Sequence, residues 1–234
     1  MKILALRLAG PMQSWGSNSR FSERSTEAFP TKSGVVGLLA ASLGIERSDP
    51  DALEASGLLA LDIVVRIDKA GRLMNDFQTI EIKNGNSKLS NRAYLSDAAF
   101  LVGLFDPEND SGALLEKLAV SVKHPVFSMF LGRKSYPPEG NVGIGVLEHE
   151  TVDDFLLSTP LVTRRLAKKN VVDEKLTVTV VKTVTDPRAD TIQDNPVSFA
   201  SSLRIHTSRS ISKSRISITN PFFITVHDPF EILE

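Results

Sequence analysis

Leu8-Ala9-Gly10-Pro11-Met12-Gln13-Ser14-Trp15-Gly16, followed a short way on by Phe29-Pro30-Thr31-Lys32-Ser33-Gly34, decides how the first third of this 234-residue chain folds. The residues leading into it, Lys2 to Ala9, carry Ile3, Leu4, Ala5, Leu6 and Leu8 with only Arg7 interrupting, the composition of a largely buried strand. Gly10-Pro11 ends that strand by turn chemistry, because glycine tolerates positive φ and proline fixes the turn that follows. The turn feeds a loop holding the only tryptophan of the chain. Beyond it Ser33 N-caps a helix in which Val35, Val36, Leu38, Leu39 and Leu43 recur at helical spacing, and Gly44 stops it.

The same logic extends along the chain. Leu58 to Ile67 reads as a second strand after Gly57, and Asp97 to Phe105 as a third. Ser111 to Val122 repeats the helical spacing, and Val126 to Leu131 supplies a fourth strand. The order is βαββαβ, an α+β ferredoxin-like domain over residues 1–140: a four-stranded sheet backed by two helices. Residues 68–96, rich in Asn, Gly, Ser and Lys, form an insertion read as a long hairpin. A smaller β-rich unit is expected over residues 141–234, with strands at Leu161 to Arg165, Leu176 to Thr185, Ser214 to Thr219 and Phe222 to Val226, and a loop over Asp186 to Asn195.

The net charge of −1 hides a segregation. Between Asp194 and Asp228 no acidic residue occurs, while Arg204, Arg209, Lys213 and Arg215 are basic and His206 and His227 join them. Between Glu81 and Asp97 only Lys83, Lys88 and Arg92 are charged, and between Glu116 and Glu139 only Lys117, Lys123, Arg133 and Lys134. A near-neutral chain with several purely basic segments can present one positive face, the footprint of a polyanion binder; each segment alone is equally well a solvated loop.

Catalytic and cofactor chemistry finds little here. Without cysteine there is no disulfide or thiolate metal site, and the four histidines lie in no metal-ligand spacing, so neither metal nor cofactor is expected. The P-loop spacing is missing around Lys32, and no Gly-x-Ser-x-Gly elbow occurs. No apolar run is long enough for a membrane span and no signal peptide precedes the first strand, so a soluble cytoplasmic protein without membrane contact is expected.

Candidate ligand residues fall in five places. Trp15 is either a packing anchor or a stacking ring, with Gln13, Ser14 and Arg20 beside it able to bind sugar or phosphate oxygens. Thr31, Lys32 and Ser33 either converge on an anion at a helix start or merely cap it. Arg92 and Tyr94 offer a phosphate contact and a ring, or a plain strand edge. Arg133 and Lys134 follow a glycine that lets backbone approach a ligand, or form a solvated turn. Arg204, His206 and Arg209 are added from the charge argument.

Taken in order, Gly10 to Gly16, Phe29 to Gly34 with Gly37 to Ile45 and Arg47, Asn91 to Phe100, Leu131 to Ser135 and Asp194 to Phe199 resemble the CasD family of subunits of type I-E CRISPR Cascade complexes, in the RAMP superfamily. The resemblance spans most of the chain apart from residues 140–188 and the C-terminal end. It implies a modified RNA-recognition (RRM) fold in which the 68–96 hairpin is a thumb. It also implies a non-catalytic subunit that binds the 5′ handle of CRISPR RNA (crRNA), caps the backbone, contacts CasC and CasA, and meets target DNA through the complex. RNA contact is carried over to Gln13, Trp15, Lys32, Ser33, Arg92, Arg133 and Lys134. Ser201 and Ser202 stand where family members often have further arginines. The alternative is a metal-independent endoribonuclease of CRISPR repeat RNA, using Tyr94, Tyr136, Lys134 or His124 as base and charge stabiliser.

Overall fold

Strand β1 (Lys2–Gln13) buries both of its faces, which is why its sequence is apolar without alternation. Leu4, Leu6 and Leu8 point into one core and Ile3, Ala5 and Ala9 into another, as the two-residue period of a strand requires. Each fully buried leucine there contributes about 1.5–3 kcal/mol. This arrangement comes from a computed structural model that describes residues 1–17, 23–82, 86–108, 112–164, 173–200 and 204–223.

The described elements are, after β1, β2 (Glu23–Arg24), α1 (Lys32–Leu43), α2 (Pro50–Ala55), β3 (Asp62–Lys69), β4 (Arg72–Ile82), β5 (Asn86–Phe105) and α3 (Ala113–Lys123). They continue with β6 (Gly143–Glu148), α4 (Val152–Ser158), β7 (Lys175–Val184), β8 (Asp190–Ser198) and β9 (Ile205–Thr219). Their strands form one mixed α/β, mostly antiparallel sheet of order β6-β1-β5-β3-β7-β9-β8, with β2 and β4 attached to β5. The core on one face gathers residues of α1, α2 and α3; that on the other is closed by Phe155 and Leu156 of α4 and by Val162.

Strand β5 serves two structures. Its C-terminal half pairs with β1 and β3, whereas residues Asn86 to Ser96 pair with β4 from Ile82 back to Arg72. The insertion is thus a long hairpin continuous with a central strand. Leu73, Phe77 and Leu89 on it are exposed.

Several sequence expectations are corrected. Val126 to Leu131 is not a strand: the N–H groups of Val126 and Phe127 donate to the last carbonyls of α1, Ser42 O and Ala41 O, at 3.0 and 3.1 Å. The sheet position beside β1 belongs to β6 instead, in a glycine-bearing stretch whose residues are mostly half-exposed. Leu58 to Ala60 belong to a turn ahead of β3, which begins only at Asp62. Thr31, not Ser33, caps α1, its extended backbone letting Oγ1 accept from Gly34 N at 3.3 Å. Leu161 to Thr163 run without strand pairing because Asp68 and Arg7 hold the backbone of Val162. The expected loop over Asp186 to Asn195 is largely strand β8, paired with β9. Phe222 lies in a turn, and the rest of the strand expected there, beyond Phe223, lies outside the described residues, as do Arg165 and Ser111.

A buried ion pair fastens α4 under the sheet. Arg66, fully buried on β3, meets Asp68 at 2.7 and 3.0 Å and donates to the carbonyls of Leu156, Thr159 and Pro160. Asp68 in turn accepts from Val162 N at 2.7 Å. With every polar atom matched, the pair escapes the several-kcal/mol cost of an uncompensated buried charge.

Candidate nucleic-acid interface

Gly132 and Ser14 bring two loops into contact. Ser14 N donates to Leu131 O at 3.0 Å, and Leu131 N to Tyr136 O at 2.7 Å. Gly132 adopts φ +88°, and a Cβ there would lie 1.7 Å from Ser14 O. The glycine is therefore required both by backbone sign and by contact.

Trp15, 1% exposed, locks the same loop. Its Nε1 donates to Gln13 Oε1 at 3.1 Å and its backbone N to Thr26 Oγ1 at 2.8 Å. Its ring lies so close to Gly34 that a Cβ on that residue would come within 2.8 Å of it. Gln13, fully buried, spends its amide on Ala98 O at 2.8 Å and Leu8 O at 3.4 Å. Gln13 and Trp15 thus position the loop from inside. Ser14 Oγ donates to Ala93 O at 3.4 Å.

Above these buried groups opens a cleft of about 1300 Å³. One wall is Ser14 to Ser17 with Arg24 and Ser25; another is the start of α1, Thr31, Ser33, Gly34 and Gly37. The α1–α2 connection contributes Glu46 to Asp49, the segment after α3 contributes Phe127 to Phe130 and Gly132 to Lys134, and Gln193, Phe199, Arg204 and His206 close the far side. Five cations, Arg24, Arg47, Arg133, Lys134 and Arg204, face two carboxylates, Glu46 and Asp49, so the lining is net positive. Hydroxyls, glycines and alanines share the rest with apolar side chains such as Leu38, Ile45, Phe127, Phe130 and Phe199, so the cleft offers polar contacts for a sugar–phosphate chain beside apolar surface.

The candidate residues divide accordingly. Ser14, Trp15, Thr31, Ser33, Arg133, Lys134, Arg204 and His206 line the cleft. Lys32 does not: its Nζ turns inward to Leu59 O at 3.2 Å, and burial, with the Arg209 charge adding to it, lowers its pKa against the opposing pull of Asp62 and Asp194. The helix start meets a carboxylate of the chain itself, since Lys32 N donates to Asp194 Oδ2 at 2.8 Å. Arg209 is committed to the same Asp194 and to Thr183 Oγ1. Arg92 sits beside Arg24 in the β2–β5 pairing, with its Nε buried and without a partner among the described residues. Tyr94 packs its ring 5.9 Å from that of Tyr136. Neither Arg92 nor Tyr94 lines the cleft. Arg20 lies outside the described residues.

Arg133 bridges the walls, donating to Ala93 O at 2.8 Å, Arg24 O at 3.4 Å and Tyr136 Oη at 3.0 Å, with its guanidinium 5.4 Å from the Tyr136 ring centre. Arg24 and Arg47 are cleft cations that the sequence reading did not place among the ligand residues, Arg47 figuring only in the family resemblance. Among the described residues, no group of three or more His, Asp or Glu is placed to hold a metal, and no helix is long and apolar enough to cross a membrane.

Two solved structures share the architecture. A chain of a CRISPR RNA-guided surveillance complex is similar with a TM-score of 0.74 and 27% identity, covering 98% of this chain and 96% of that one. A Cas protein crystal structure is similar with a TM-score of 0.62 and 33% identity, over 94% and 97%. The fold is that of a CRISPR-associated protein. More particularly, the family model described as CRISPR-associated protein (Cas_Cas5) matches residues 3–211, and the chain belongs to the Cas5 family. Its curated relative, the CRISPR system Cascade subunit CasD of Escherichia coli (strain K12), is 32% identical over 171 residues, 66% of this chain and 75% of that one.

Proposed function

We propose that this chain is the crRNA-binding subunit of a type I-E Cascade antiviral surveillance complex, seating the 5′ handle of the guide RNA in the cationic cleft and capping the backbone without cutting RNA. The observation that carries the reading is the cleft itself, five cations against two carboxylates among hydroxyl-bearing, small and apolar residues, in a Cas5-family chain. Lys134, Arg133, Arg204, His206 and the Thr31 and Ser33 hydroxyls are the RNA-facing groups; Gln13, Trp15, Lys32 and Arg209 hold the walls from behind. On this reading the β4–β5 hairpin is the thumb, CasC and CasA are the protein neighbours, target DNA is met through the complex, and the setting is the cytoplasm.

The strand order β6-β1-β5-β3, with α1 and α3 on one face, supports a ferredoxin-like, RRM-related centre in which β6 stands as fourth strand. That centre then draws on residues 1–140 and on β6, while β7, β9 and β8 extend the sheet beyond β3. Full-length protein is expected to bind handle-bearing RNA more tightly than scrambled RNA at physiological salt; equal affinities would sink the proposal.

One contact favours the endoribonuclease alternative: the Tyr136 phenol receives a hydrogen bond from a guanidinium, Arg133, at 3.0 Å. Tyr136 is buried and lies outside the cleft lining, as does His124, which leaves the binding role ahead. Metal-free incubation with repeat RNA separates the two, because clean cleavage lost on Tyr136→Phe or His124→Ala reverses the ranking.

A further inference from the structure

Three arginines reach the cleft from three separate segments: Arg24 from β2, Arg47 from the turn between α1 and α2, and Arg204 from the residue preceding β9. They stand near enough to act on one another. Arg204 is exposed, yet partial desolvation by the protein around it, together with the Arg47 and Arg24 charges, pushes its pKa down, and no carboxylate of the described residues counters them. The two cleft carboxylates have other duties: Glu46 accepts from Ser48 Oγ at 3.2 Å, and Asp49 caps α2 by accepting from Ala52 N at 2.9 Å. Among the described residues none of the three arginines makes a salt bridge.

Elsewhere the same chain treats arginine differently. Arg66 has Asp68 and Arg209 has Asp194, each within 2.7 Å, so internal guanidiniums carry their own counter-charge. Arg24, Arg47 and Arg204 are exposed, and like charges gathered in one cleft repel one another. Among the described residues no carboxylate pairs with these three exposed guanidiniums, which leaves them open to a bound anion. A guanidinium's planar fork matches phosphate oxygens in pairs, and three forks around one group supply more donors than a single phosphate needs. His206, which lines the same cleft, adds a ring Nε2 that is buried with no partner among the described residues.

We propose that Arg24, Arg47 and Arg204 form one phosphate seat, taking a single phosphodiester group of the bound RNA; this rests on the cleft being the RNA site. The seat acts as a unit, so its members' effects on affinity are coupled rather than independent.

The test is a set of mutant cycles on the full chain with labelled handle-bearing RNA at fixed salt. Arg24→Gln, Arg47→Gln and Arg204→Gln each weaken binding about tenfold, the scale of a charge-assisted hydrogen bond. Any two together cost clearly less than the product of the singles, because a phosphate loosened by one loss gains less from the remaining forks. Each paired with Lys134→Gln, also in the cleft but outside the seat, multiplies. A methylphosphonate at one position of the RNA reproduces the single-variant loss in the unaltered protein and adds little in Arg204→Gln. Arginine pairs that multiply as independent contacts, or singles that bind like the unaltered protein, overturn the seat while leaving RNA binding in the cleft standing. Failure of the unaltered protein to prefer handle RNA over scrambled RNA overturns both.

Discussion

Asp194 grips Arg209 with both carboxylate oxygens, Nε to Oδ1 at 2.7 Å and Nη2 to Oδ2 at 2.9 Å, and the pair is almost wholly buried between β8 and β9. Asp194 also receives the backbone N–H of Lys32 at the start of α1. One carboxylate thereby ties the outer strands of the sheet to the helix that forms a wall of the cleft. Asp194→Ala leaves Arg209 buried and unpaired, a change expected to cost about 3–5 kcal/mol. At roughly 2–4 °C per kcal/mol for a chain of this size, the melting temperature falls well outside measurement error. Arg209→Met combined with Asp194→Leu recovers much of that loss if the cost is the orphaned charge rather than the shape. A double variant as unstable as Asp194→Ala would contradict this account.

Lys32 and Lys134 separate a supporting cation from a facing one. The Lys32 ammonium is spent on Leu59 O inside the protein, whereas Lys134 is exposed on the cleft rim. Lys134→Gln is expected to reduce the slope of log affinity against log salt by about 0.7, the release of roughly one counterion from single-stranded RNA. Lys32→Met leaves that slope unchanged, whatever it does to stability. A Lys32→Met slope reduced as much as that of Lys134→Gln places the ammonium on RNA and refutes the assignment.

Trp15 is expected to act through packing, not stacking. Buried against Gly34 and bonded to Gln13, it offers no open face for a base. Trp15→Ala costs about 3–5 kcal/mol, the range for emptying an aromatic site in a core. Trp15→Phe keeps most of the packing and retains RNA affinity. Because it is the only tryptophan, emission gives a direct readout: blue-shifted and nearly unchanged on RNA addition. Strong quenching by RNA would put a base on the ring.

Gly132→Ala tests the contact between the two loops. The substitution places a methyl against Ser14 O in a left-handed backbone that disfavours side chains. Loss of about 1–3 kcal/mol from the backbone conformation alone is expected, and the clash adds to it. RNA affinity falls with it, since Arg133 and Lys134 follow directly in the chain. Gly37→Ala is the matched comparison on the opposite wall, where an added Cβ meets only Phe199, at 3.9 Å. There the helix gains about 0.5–1 kcal/mol. Equal melting temperatures for the two variants would remove the steric argument.

What the sequence makes legible follows from where the forces lie. β1 and α1 are readable from apolar content, because β1 is buried on both faces and α1 along most of its length; the turn expected at Gly10-Pro11 is absent, since β1 stays paired with β5 through Gly10 to Gln13. Val126 to Leu131 misleads for the same reason: its apolar residues look like a strand, but its backbone caps α1 and braces Ser14. β6 hides among glycines because it occupies a sheet edge and buries little. The basic segments contain Lys134 and Arg204, which line the cleft. Arg209 shares that signal yet is neutralised by Asp194, fifteen residues earlier, across the β8–β9 ladder. Arg24 and Arg47 carry the opposite disguise, with Glu23 and Glu46 beside them in sequence. Both line the cleft, and Arg47 makes no salt bridge with Glu46 beside it.

His206 makes the cleft sensitive to pH. Burial holds its pKa below the ordinary histidine value, the Arg204 charge lowers it further, and Asp194 pulls the other way; Phe199 packs edge-on at 6.2 Å. With the folded pKa depressed, the unfolded chain binds more protons in the interval between the two values. The stability tied to this group is therefore full above about pH 6.5 and declines as pH falls through that interval. His206→Gln is expected to flatten that part of the stability profile. RNA has the opposite leverage, because a phosphate near Arg204 and His206 favours the imidazolium and raises its pKa. Binding then takes up a proton, so affinity rises as pH drops from about 7.5 to about 6 in the unaltered protein and not in His206→Gln. Proton NMR of the four imidazoles, with and without RNA, reads the same shift directly. A His206 that titrates at or above the ordinary value in the free protein, or does not move on RNA addition, would contradict the coupling between this ring and the cleft.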